Sequence, residues 1–269
     1  MSRETVRVEM ADGVLRIVLD RPEHKNSLIP ESVRTLIEAL ERAATDDDAR
    51  VVSIEASGPD FCAGADVVTA NARDDGATRE RPRVGSLQRR MAIQSTRLID
   101  LMTTVQLPIV CSVRGWAAGL GCQIALAADF TIAAENATFW QPFVARGFTP
   151  DSGAAWMLPR LIGIARAKEL LMLGEKIDGA RAADWGMICR SVPEPELDDA
   201  TRTLVARLAN GPTVALGLTK RSIQSSADAS LVESMATEAY ALELSSRTED
   251  FREGLASFRE RRKPEFKGR

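Results

Sequence analysis

The sequence predicts an α/β fold over most of its length, followed by a purely helical region. Strand-like and helix-like segments alternate up to about residue 197, which is typical of α/β architecture. From residue 198 onward every periodic segment has helical spacing. We therefore expect a core over 1–197 and a helical region over 198–269 that caps a site or forms an oligomer interface.

The first elements follow from alternation and turn residues. Apolar alternation over 6–19, interrupted by Asp12-Gly13, predicts a β-hairpin. Apolar residues at helical spacing predict an amphipathic helix over 30–44, and the apolar run 51–56 predicts a strand.

An Arg-, Asp- and Gly-rich stretch comes next. We expect a loop over 71–83 and a helix over 85–102. The arginines of this stretch suit contacts with phosphates, but a solvated charged surface explains the same composition.

The central stretch has the order strand, glycine-rich turn, helix. An apolar run over 107–113 leads into a turn with Gly115, Gly119 and Gly121, and a short-chained, helix-prone segment follows over 122–128. Backbone N–H groups at the start of such a helix point outward and bind negative charge. They would hold the oxygen of a carbonyl that gains charge during a reaction, although glycines also serve close packing alone.

The remaining elements follow the same alternation and then become helical. We expect a strand over 129–134, an irregular loop over 141–153, two helices that meet at Gly163, and a strand over 187–192. A short helix precedes that strand over 179–185, and the C-terminal helices are predicted over 197–209, 213–225, 231–247 and 250–262.

Composition excludes several classes of function. The formal net charge of −3 over 269 residues gives no general reason to expect nucleic acid or membrane partners. The sequence contains no apolar run long enough for a membrane span and no signal-peptide pattern, so we expect a cytoplasmic protein. A single histidine and four cysteines without metal-type spacing argue against histidine triads and metal sites, and the cysteines are expected to be buried thiols.

Several segments, taken together and in order, resemble the crotonase (enoyl-CoA hydratase/isomerase) superfamily, and closest in pattern is its oxepin-forming phenylacetyl-CoA ring isomerase type. The resemblance implies a spiral of ββα turns with a C-terminal helical trimerisation region. It also implies an acyl-CoA substrate, a thioester enolate, no further cofactor, and a homotrimer or dimer of trimers. The segments are LDRPEHKNSL, FCAGADV, PIVCSVRGWAAGLGC, AADFTIAAENATF, PDSGAAWMLPRLIG, ADWGMI and EDFREGLASFRERRKPEF.

The resemblance also implies a set of binding residues. The family's oxyanion hole would use the backbone N–H groups of Ala65 and Leu120. Asp66 would lie beside the substrate, although a turn or capping acid explains it equally. The remaining substrate contacts that the resemblance implies are Ala63, Val67, Val68 and Gln123. It also implies a tail near the CoA nucleotide, sometimes of a neighbouring subunit, that contains Lys263, Phe266 and Lys267, unless this tail is a frayed terminus.

One departure from the family pattern decides the predicted chemistry. Hydratases of this family carry two glutamates, at the positions that Gln123 and Phe143 occupy here. Neither side chain exchanges a proton at neutral pH. Asp151 is the carboxylate that remains in the matching region, so the resemblance implies that it acts as a single acid/base.

The surroundings of Asp151 are expected to be apolar. Phe143, Phe148 and Trp156 would line the acyl pocket and raise the pKa of the acid. The alternative is that Asp151 and Ser152 cap the helix that starts near residue 154. The four tryptophans are expected mainly in the core.

We therefore expect an acyl-CoA isomerase that stabilises a thioester enolate and shifts a proton through Asp151. Two alternatives stay within acyl-CoA binding: an enoyl-CoA hydratase of fatty-acid β-oxidation and a non-catalytic acyl-CoA-binding protein. A third is a scaffold whose helices form an interface. A dinucleotide-binding turn is excluded, because GLGCQI lacks the third glycine and the following acid.

Overall fold

The structure is a computed structural model that describes residues 4–66 and 83–269. Most of the loop predicted over 71–83 lies outside the described residues. Nine strands are recorded: β1 (Val6–Ala11), β2 (Val14–Leu19), β3 (Val51–Ala56), β4 (Ile109–Val113), β5 (Trp116–Ala118), β6 (Phe130–Ala134), β7 (Thr138–Trp140), β8 (Lys176–Asp178) and β9 (Arg190–Val192).

The helices alternate with these strands and then continue alone, as the sequence predicts. They are α1 (Pro30–Ala43), α2 (Ser86–Ala92), α3 (Ser95–Thr104), α4 (Leu120–Ala127), α5 (Ala154–Lys168), α6 (Gly179–Asp184), α7 (Leu197–Ala209), α8 (Thr213–Ser226), α9 (Leu231–Ser245) and α10 (Glu249–Glu260).

A six-stranded sheet forms the centre of the fold, with the strand order β1-β2-β3-β4-β6-β9. The pair β1 and β2 is antiparallel, and the pairs from β2 to β9 are parallel. The hairpin between β1 and β2 turns at Asp12 and Gly13, whose φ angles of 51° and 75° match the two-residue turn that the Asp-Gly pair predicts. The α/β class and this hairpin are confirmed.

A second, three-stranded sheet has the order β5-β7-β8, and it was not expected from the sequence. Each strand has three residues, which is too short to show an alternating pattern. The predicted helix over 85–102 is also wrong in detail, because Gln94 adopts φ −121° and ψ −103° between α2 and α3. Gly163, at φ 78° and ψ 162°, interrupts α5 as expected.

The core lies on both faces of the main sheet. Leu15, Ile17 and Ile54 are almost completely buried on the face that packs against α1 and α3. On the opposite face, α7 buries Val205 against Val110 of β4. Burial of one such side chain stabilises the fold by about 1.5–3 kcal/mol. The division into a core and a helical region at residue 198 stays a prediction, although α7 packs on the sheet itself.

Three cysteines are buried as expected, whereas Cys189 is exposed, so the prediction for that residue is wrong. Burial raises the pKa of the Cys62 and Cys122 thiols to about 12, so both are neutral at physiological pH. No helix within 4–66 or 83–269 is long and apolar enough to cross a membrane.

Parallel strands bring two segments to one edge of the main sheet. β3 ends at Ala56 and leads into the segment 57–66, and β4 ends at Val113 and leads into β5 and α4. Carboxyl ends of parallel strands are where ligands bind in open α/β sheets. The candidate site is built from these two segments and the loop that follows β7.

Candidate active site

The peptide group between Gly64 and Ala65 forms one side of the site. Its carbonyl oxygen accepts a hydrogen bond from the Leu28 N–H at 2.8 Å. Because the peptide is trans, the Ala65 N–H points the opposite way. Among the described residues no acceptor is recorded for this N–H, and Ala65 is exposed. The Ala65 N–H is therefore a backbone donor for which the described residues supply no acceptor.

The start of α4 forms the other side. Gly119 precedes the helix with φ 51° and ψ −124°, a conformation that is essentially restricted to glycine. Leu120 is the first helical residue and is absent from the residues with positive φ, so its side chain causes no backbone strain there. The N–H of a first helical residue has no acceptor within its helix. The partial positive charge of the helix start strengthens its attraction for an anion.

The segment before Ala65 packs closely against the start of α4. A Cβ atom placed on Gly64 would lie 3.3 Å from the Leu120 nitrogen and 2.7 Å from the Ala118 carbonyl oxygen. One placed on Gly121 would lie 2.4 Å from the Cys62 carbonyl oxygen. Only glycine permits this approach, which brings the segment 61–66 against the start of α4. An oxyanion hole formed by the Ala65 and Leu120 N–H groups stays a prediction, and this packing is compatible with it.

Asp151 is half-buried in the loop between β7 and α5. Burial raises the pKa of its carboxyl group, and the Ser152 hydroxyl partly offsets that effect. The loop begins beside the start of α4, because the Gly119 N–H donates to the Trp140 carbonyl at 3.0 Å. Asp151 therefore binds a proton more readily than an exposed aspartate does, and its role as an acid/base stays a prediction.

The alternative role of Asp151 and Ser152 as side-chain caps is wrong. The residue before α5 is Gly153, at φ 83°, and no side chain caps this helix. Asp151 supports the helix only through its carbonyl oxygen, which accepts the Ala154 N–H at 3.0 Å. Ser152 adopts φ 49°, and its buried hydroxyl has no described partner at full hydrogen-bond geometry, so its effect on the pKa of the neighbouring Asp151 comes from a contact with poorer geometry.

Gln123 is completely buried and pairs with Gln141, which sequence reasoning missed. The Gln123 amide nitrogen donates to the Gln141 oxygen at 3.2 Å, and the Gln141 nitrogen donates back at 3.3 Å. The Gln141 nitrogen also lies 3.2 Å from the Cys122 sulfur. The pair joins α4 to the residue after β7, so Gln123 supports the site from within the core.

The aromatic residues differ in exposure. Phe143 is 3% exposed and meets Phe148 edge to face, with ring centroids 5.5 Å apart. Phe148 and Trp156 are 43% and 41% exposed. Phe148 is therefore available to line an opening, and the guanidinium of Arg160 lies 4.1 Å from the centroid of the Trp156 ring.

Comparisons with known proteins show which family the chain resembles. Residues 9–269 match the family model described as enoyl-CoA hydratase/isomerase. The chain is 36% identical to a probable enoyl-CoA hydratase of Rhodobacter capsulatus over the full length of both proteins. It is 35% identical to the 1,2-epoxyphenylacetyl-CoA isomerase of Escherichia coli, over 99% of each. A crystal structure of a putative enoyl-CoA hydratase/isomerase from Mycobacterium abscessus superposes with a TM-score of 0.89 at 31% identity, covering 98% of this chain and 100% of the other.

The chain belongs to the enoyl-CoA hydratase/isomerase family. The predicted crotonase-type fold is confirmed by the solved structure that superposes with it. The names of these enoyl-CoA hydratase/isomerase relatives include both hydratases and isomerases. Family membership therefore does not distinguish hydration from isomerisation, and the choice between them depends on the residues of the site.

The segment 63–68, which is expected to bind acyl-CoA, lies only partly within the described residues. Ala63 donates its N–H to the Lys25 carbonyl at 2.9 Å and is held in place by it. The Asp66 carboxylate pairs with Arg21 at 3.3 Å, and its alternative role as a turn or capping acid is untested because the residues that follow it lie outside the described ones. Val67 and Val68 lie outside the described residues. Asp66 is therefore a buried ion-pair partner, and its contact with substrate stays a prediction.

The C-terminal tail is ordered and lies away from the site of its own chain. The buried carboxylate of Asp250 accepts the N–H groups of Lys267 and Gly268 at 2.6 and 2.8 Å. Arg50, directly before β3, donates to the Phe266 carbonyl at 3.2 Å. The tail thus lies at the amino-terminal edge of the main sheet, opposite the candidate site. The frayed-terminus alternative is wrong. Contacts of Lys263, Phe266 and Lys267 with substrate stay predictions.

The expectation that the tryptophans are mainly core residues is wrong, because none of the four is fully buried. A lysine or arginine side chain instead lies over each ring. Lys176 lies 5.2 and 4.9 Å from the centroids of Trp116 and Trp140, which meet edge to face. Arg166 and Arg181 both lie over Trp185. Such contacts favour half-exposed rings at the surface.

Proposed function

We propose that this protein is an acyl-CoA isomerase that moves a proton along the acyl chain through Asp151. The observation that carries the proposal is the placement of acids. Gln123 and Phe143 occupy the positions where the hydratase pattern has glutamates, and both are buried. Asp151 is half-buried, with a pKa raised by burial.

In the proposed reaction the thioester carbonyl oxygen accepts hydrogen bonds from the Ala65 and Leu120 N–H groups. Asp151 removes a proton from one carbon of the acyl chain, and the electrons move onto the thioester oxygen as a conjugated enolate. The protonated Asp151, whose acid proton exchanges with solvent, then delivers a proton to the carbon two positions away, so the double bond moves without loss of atoms. The cycle uses no metal and no cofactor beyond the CoA of the substrate.

The name of the Escherichia coli relative, an isomerase of 1,2-epoxyphenylacetyl-CoA, supports an aromatic or ring-containing acyl group. The pair of Phe143 and Phe148 supports the same choice, because aromatic rings pack favourably edge to face. The name of the Rhodobacter capsulatus relative, a probable hydratase, supports the second candidate, enoyl-CoA hydration.

Product analysis in deuterated water tests the proposal. The protein is incubated with 2-enoyl-CoA and 3-enoyl-CoA thioesters that carry either alkyl or phenyl groups. We expect migration of the double bond and deuterium at the α or γ carbon, and a loss of both by about 10²–10⁴-fold in Asp151→Asn. Formation of 3-hydroxyacyl-CoA that persists in Asp151→Asn contradicts the isomerase mechanism. Tight binding without deuterium exchange indicates a non-catalytic binding protein, and absence of binding indicates a scaffold.

We further propose that the active assembly is a homotrimer or a dimer of trimers. Helix α9 has no buried residue, although more than half of its residues are apolar. We propose that a second copy of the chain packs against this apolar helix. The C-terminal tail lies away from the site of its own chain, so the predicted contact of the tail with CoA would be made in a neighbouring subunit. Light scattering on the purified protein distinguishes monomer, trimer and hexamer. The exposed side chains of α9 are Leu231, Val232, Met235, Tyr240, Leu242 and Leu244.

A further inference from the structure

The Gly64–Ala65 peptide is the second of two peptide groups that are linked by a hydrogen bond. Its carbonyl accepts the N–H of Leu28 at 2.8 Å. That N–H belongs to the peptide between Ser27 and Leu28, whose carbonyl oxygen accepts a hydrogen bond from Arg21 Nη1 at 2.7 Å. A continuous series of hydrogen bonds therefore runs from the guanidinium, through two trans peptides, to the peptide that carries the Ala65 N–H.

The first donor in this series carries a full charge. The guanidinium group of an arginine is a cationic donor, and the side chain of Arg21 is only 13% exposed. A charged donor polarises the peptide that accepts from it, and hydrogen bonds in a chain strengthen one another in a low-dielectric interior. This polarisation makes the Ala65 N–H, the last group in the series, a stronger hydrogen-bond donor.

The surrounding contacts hold this series of hydrogen bonds in register. The Asp66 carboxylate lies 3.3 Å from Arg21 Nη1 and accepts the Ser27 hydroxyl at 3.3 Å. The Asp66 N–H donates to the Leu28 carbonyl at 2.9 Å, on the far side of Ala65. Asn26 accepts the Arg21 N–H at 2.8 Å. Both peptides next to Ala65 are therefore fixed by the segment 21–28.

We propose that Arg21 is a positioning residue for the oxyanion hole, which orients and polarises the Ala65 N–H through the peptides 27–28 and 64–65. The proposal rests on the proposed function, because it assigns Ala65 as a donor to the thioester oxygen. It gives the two donors different sources of polarisation: the start of α4 acts on Leu120, and the buried cation acts on Ala65.

Kinetics of three variants test the proposal. Arg21→Lys keeps the charge, Arg21→Gln keeps a donor without charge, and Arg21→Met keeps neither. We expect kcat to fall in the order Lys, Gln, Met, by roughly tenfold or more for Met, with KM changed less than threefold, because an oxyanion contact acts mainly in the transition state. Arg16→Met removes an exposed arginine that pairs with Glu55 on the same sheet, and controls for general loss of an ion pair.

A spectroscopic measurement separates this proposal from the proposed reaction. The amide proton shift of Ala65 is recorded by NMR in the ligand-free wild type, Arg21→Lys and Arg21→Gln proteins. We expect the signal to move upfield in Arg21→Gln and to stay near the wild-type position in Arg21→Lys. The role of Arg21 is overturned if the amide proton shift of Ala65 stays unchanged and the losses in kcat only follow the loss of thermal stability. This holds even when Asp151→Asn still abolishes isomerisation. A shift that moves as expected in a protein without isomerase activity leaves the role of Arg21 intact and rejects the reaction.

Discussion

Gln123 and Gln141 satisfy each other through both ends of their side-chain amides, at N···O distances of 3.2 and 3.3 Å. Both are almost completely inaccessible to solvent, at 0% and 1% exposure. The pair fills the region behind the start of α4 with neutral polar groups. Position 123 carries an amide and not a carboxylate, and the pairing shows that this amide makes its hydrogen bonds within the protein.

The first prediction concerns the stability of this pair. Gln141→Met leaves the amide of Gln123 without its partner, and we expect a loss of about 1–3 kcal/mol in the free energy of unfolding, measured with urea. Gln123→Met should cost a similar amount. The double variant should cost less than the sum of the two, because no unpaired amide then remains. Additive losses would contradict the pairing.

Substitution of Leu120 tests the helix donor with little damage to the helix. Proline is favoured at the first helical position, where its missing N–H has no intrahelical partner. We expect Leu120→Pro to lower kcat by about 10²–10³-fold, the usual effect of removing one oxyanion donor. Leu120→Met keeps the N–H at a similar side-chain volume and should lose far less. Similar kcat values for the two variants would exclude Leu120 as a donor.

The raised pKa of Asp151 predicts a conflict between stability and activity. Its carboxyl group binds a proton more readily in the folded state, so its ionisation at neutral pH opposes folding. We expect Asp151→Asn to raise the melting temperature at pH 7 while abolishing activity. The advantage should shrink as the pH falls through the folded-state pKa and vanish below the ordinary aspartate pKa of about 3.9. Asp47→Asn, at an exposed position, controls for the change in net charge.

Ser152 should set how far the pKa of Asp151 rises. Its hydroxyl lowers that pKa against the larger effect of burial, so its removal should raise the pKa further. In Ser152→Ala and Ser152→Gly we expect the acidic limb of the kcat/KM profile to move to higher pH. Glycine also relieves the φ of 49°, so the two variants should differ in melting temperature but share the shift. A shift in neither variant would exclude the hydroxyl as the cause.

The buried pair of Lys220 and Asp129 should be a major stabilising contact between the C-terminal helices and the core. Lys220 Nζ lies 2.8 Å from the Asp129 carboxylate and donates to the Met102 and Leu107 carbonyls at 2.8 and 3.1 Å. Burial lowers the pKa of Lys220, and Asp129 opposes this effect. We expect Lys220→Met to cost about 3–5 kcal/mol, because it leaves a buried carboxylate unpaired.

A second substitution separates the ion pair from packing in that region. Lys220→Met combined with Asp129→Leu removes both charges, and we expect it to recover part of the lost stability in the same urea titration. A double variant that is as unstable as the sum of its parts would show that packing, and not the unpaired charge, causes the loss.

Local patterns were sufficient for much of the fold. The Asp12-Gly13 turn, the strand over 51–56 and the helix over 197–209 depend on residues that are neighbours in the chain, and the structure confirms each of them. Segments of three residues, such as β5, β7 and β8, carry too few side chains to show a period, and these were missed.

The sequence by itself determined the α/β class, the family resemblance and the positions where acids are missing, because these depend on residue type and order. Only the tertiary structure decided which groups meet. It paired Gln123 with Gln141 and Asp66 with Arg21, and it brought Gly64 to the start of α4. It also left the tail at the far edge of the sheet, held by Arg50. The physical reason is that a hydrogen bond or ion pair between distant segments depends on how strands and helices pack, which local propensity does not specify.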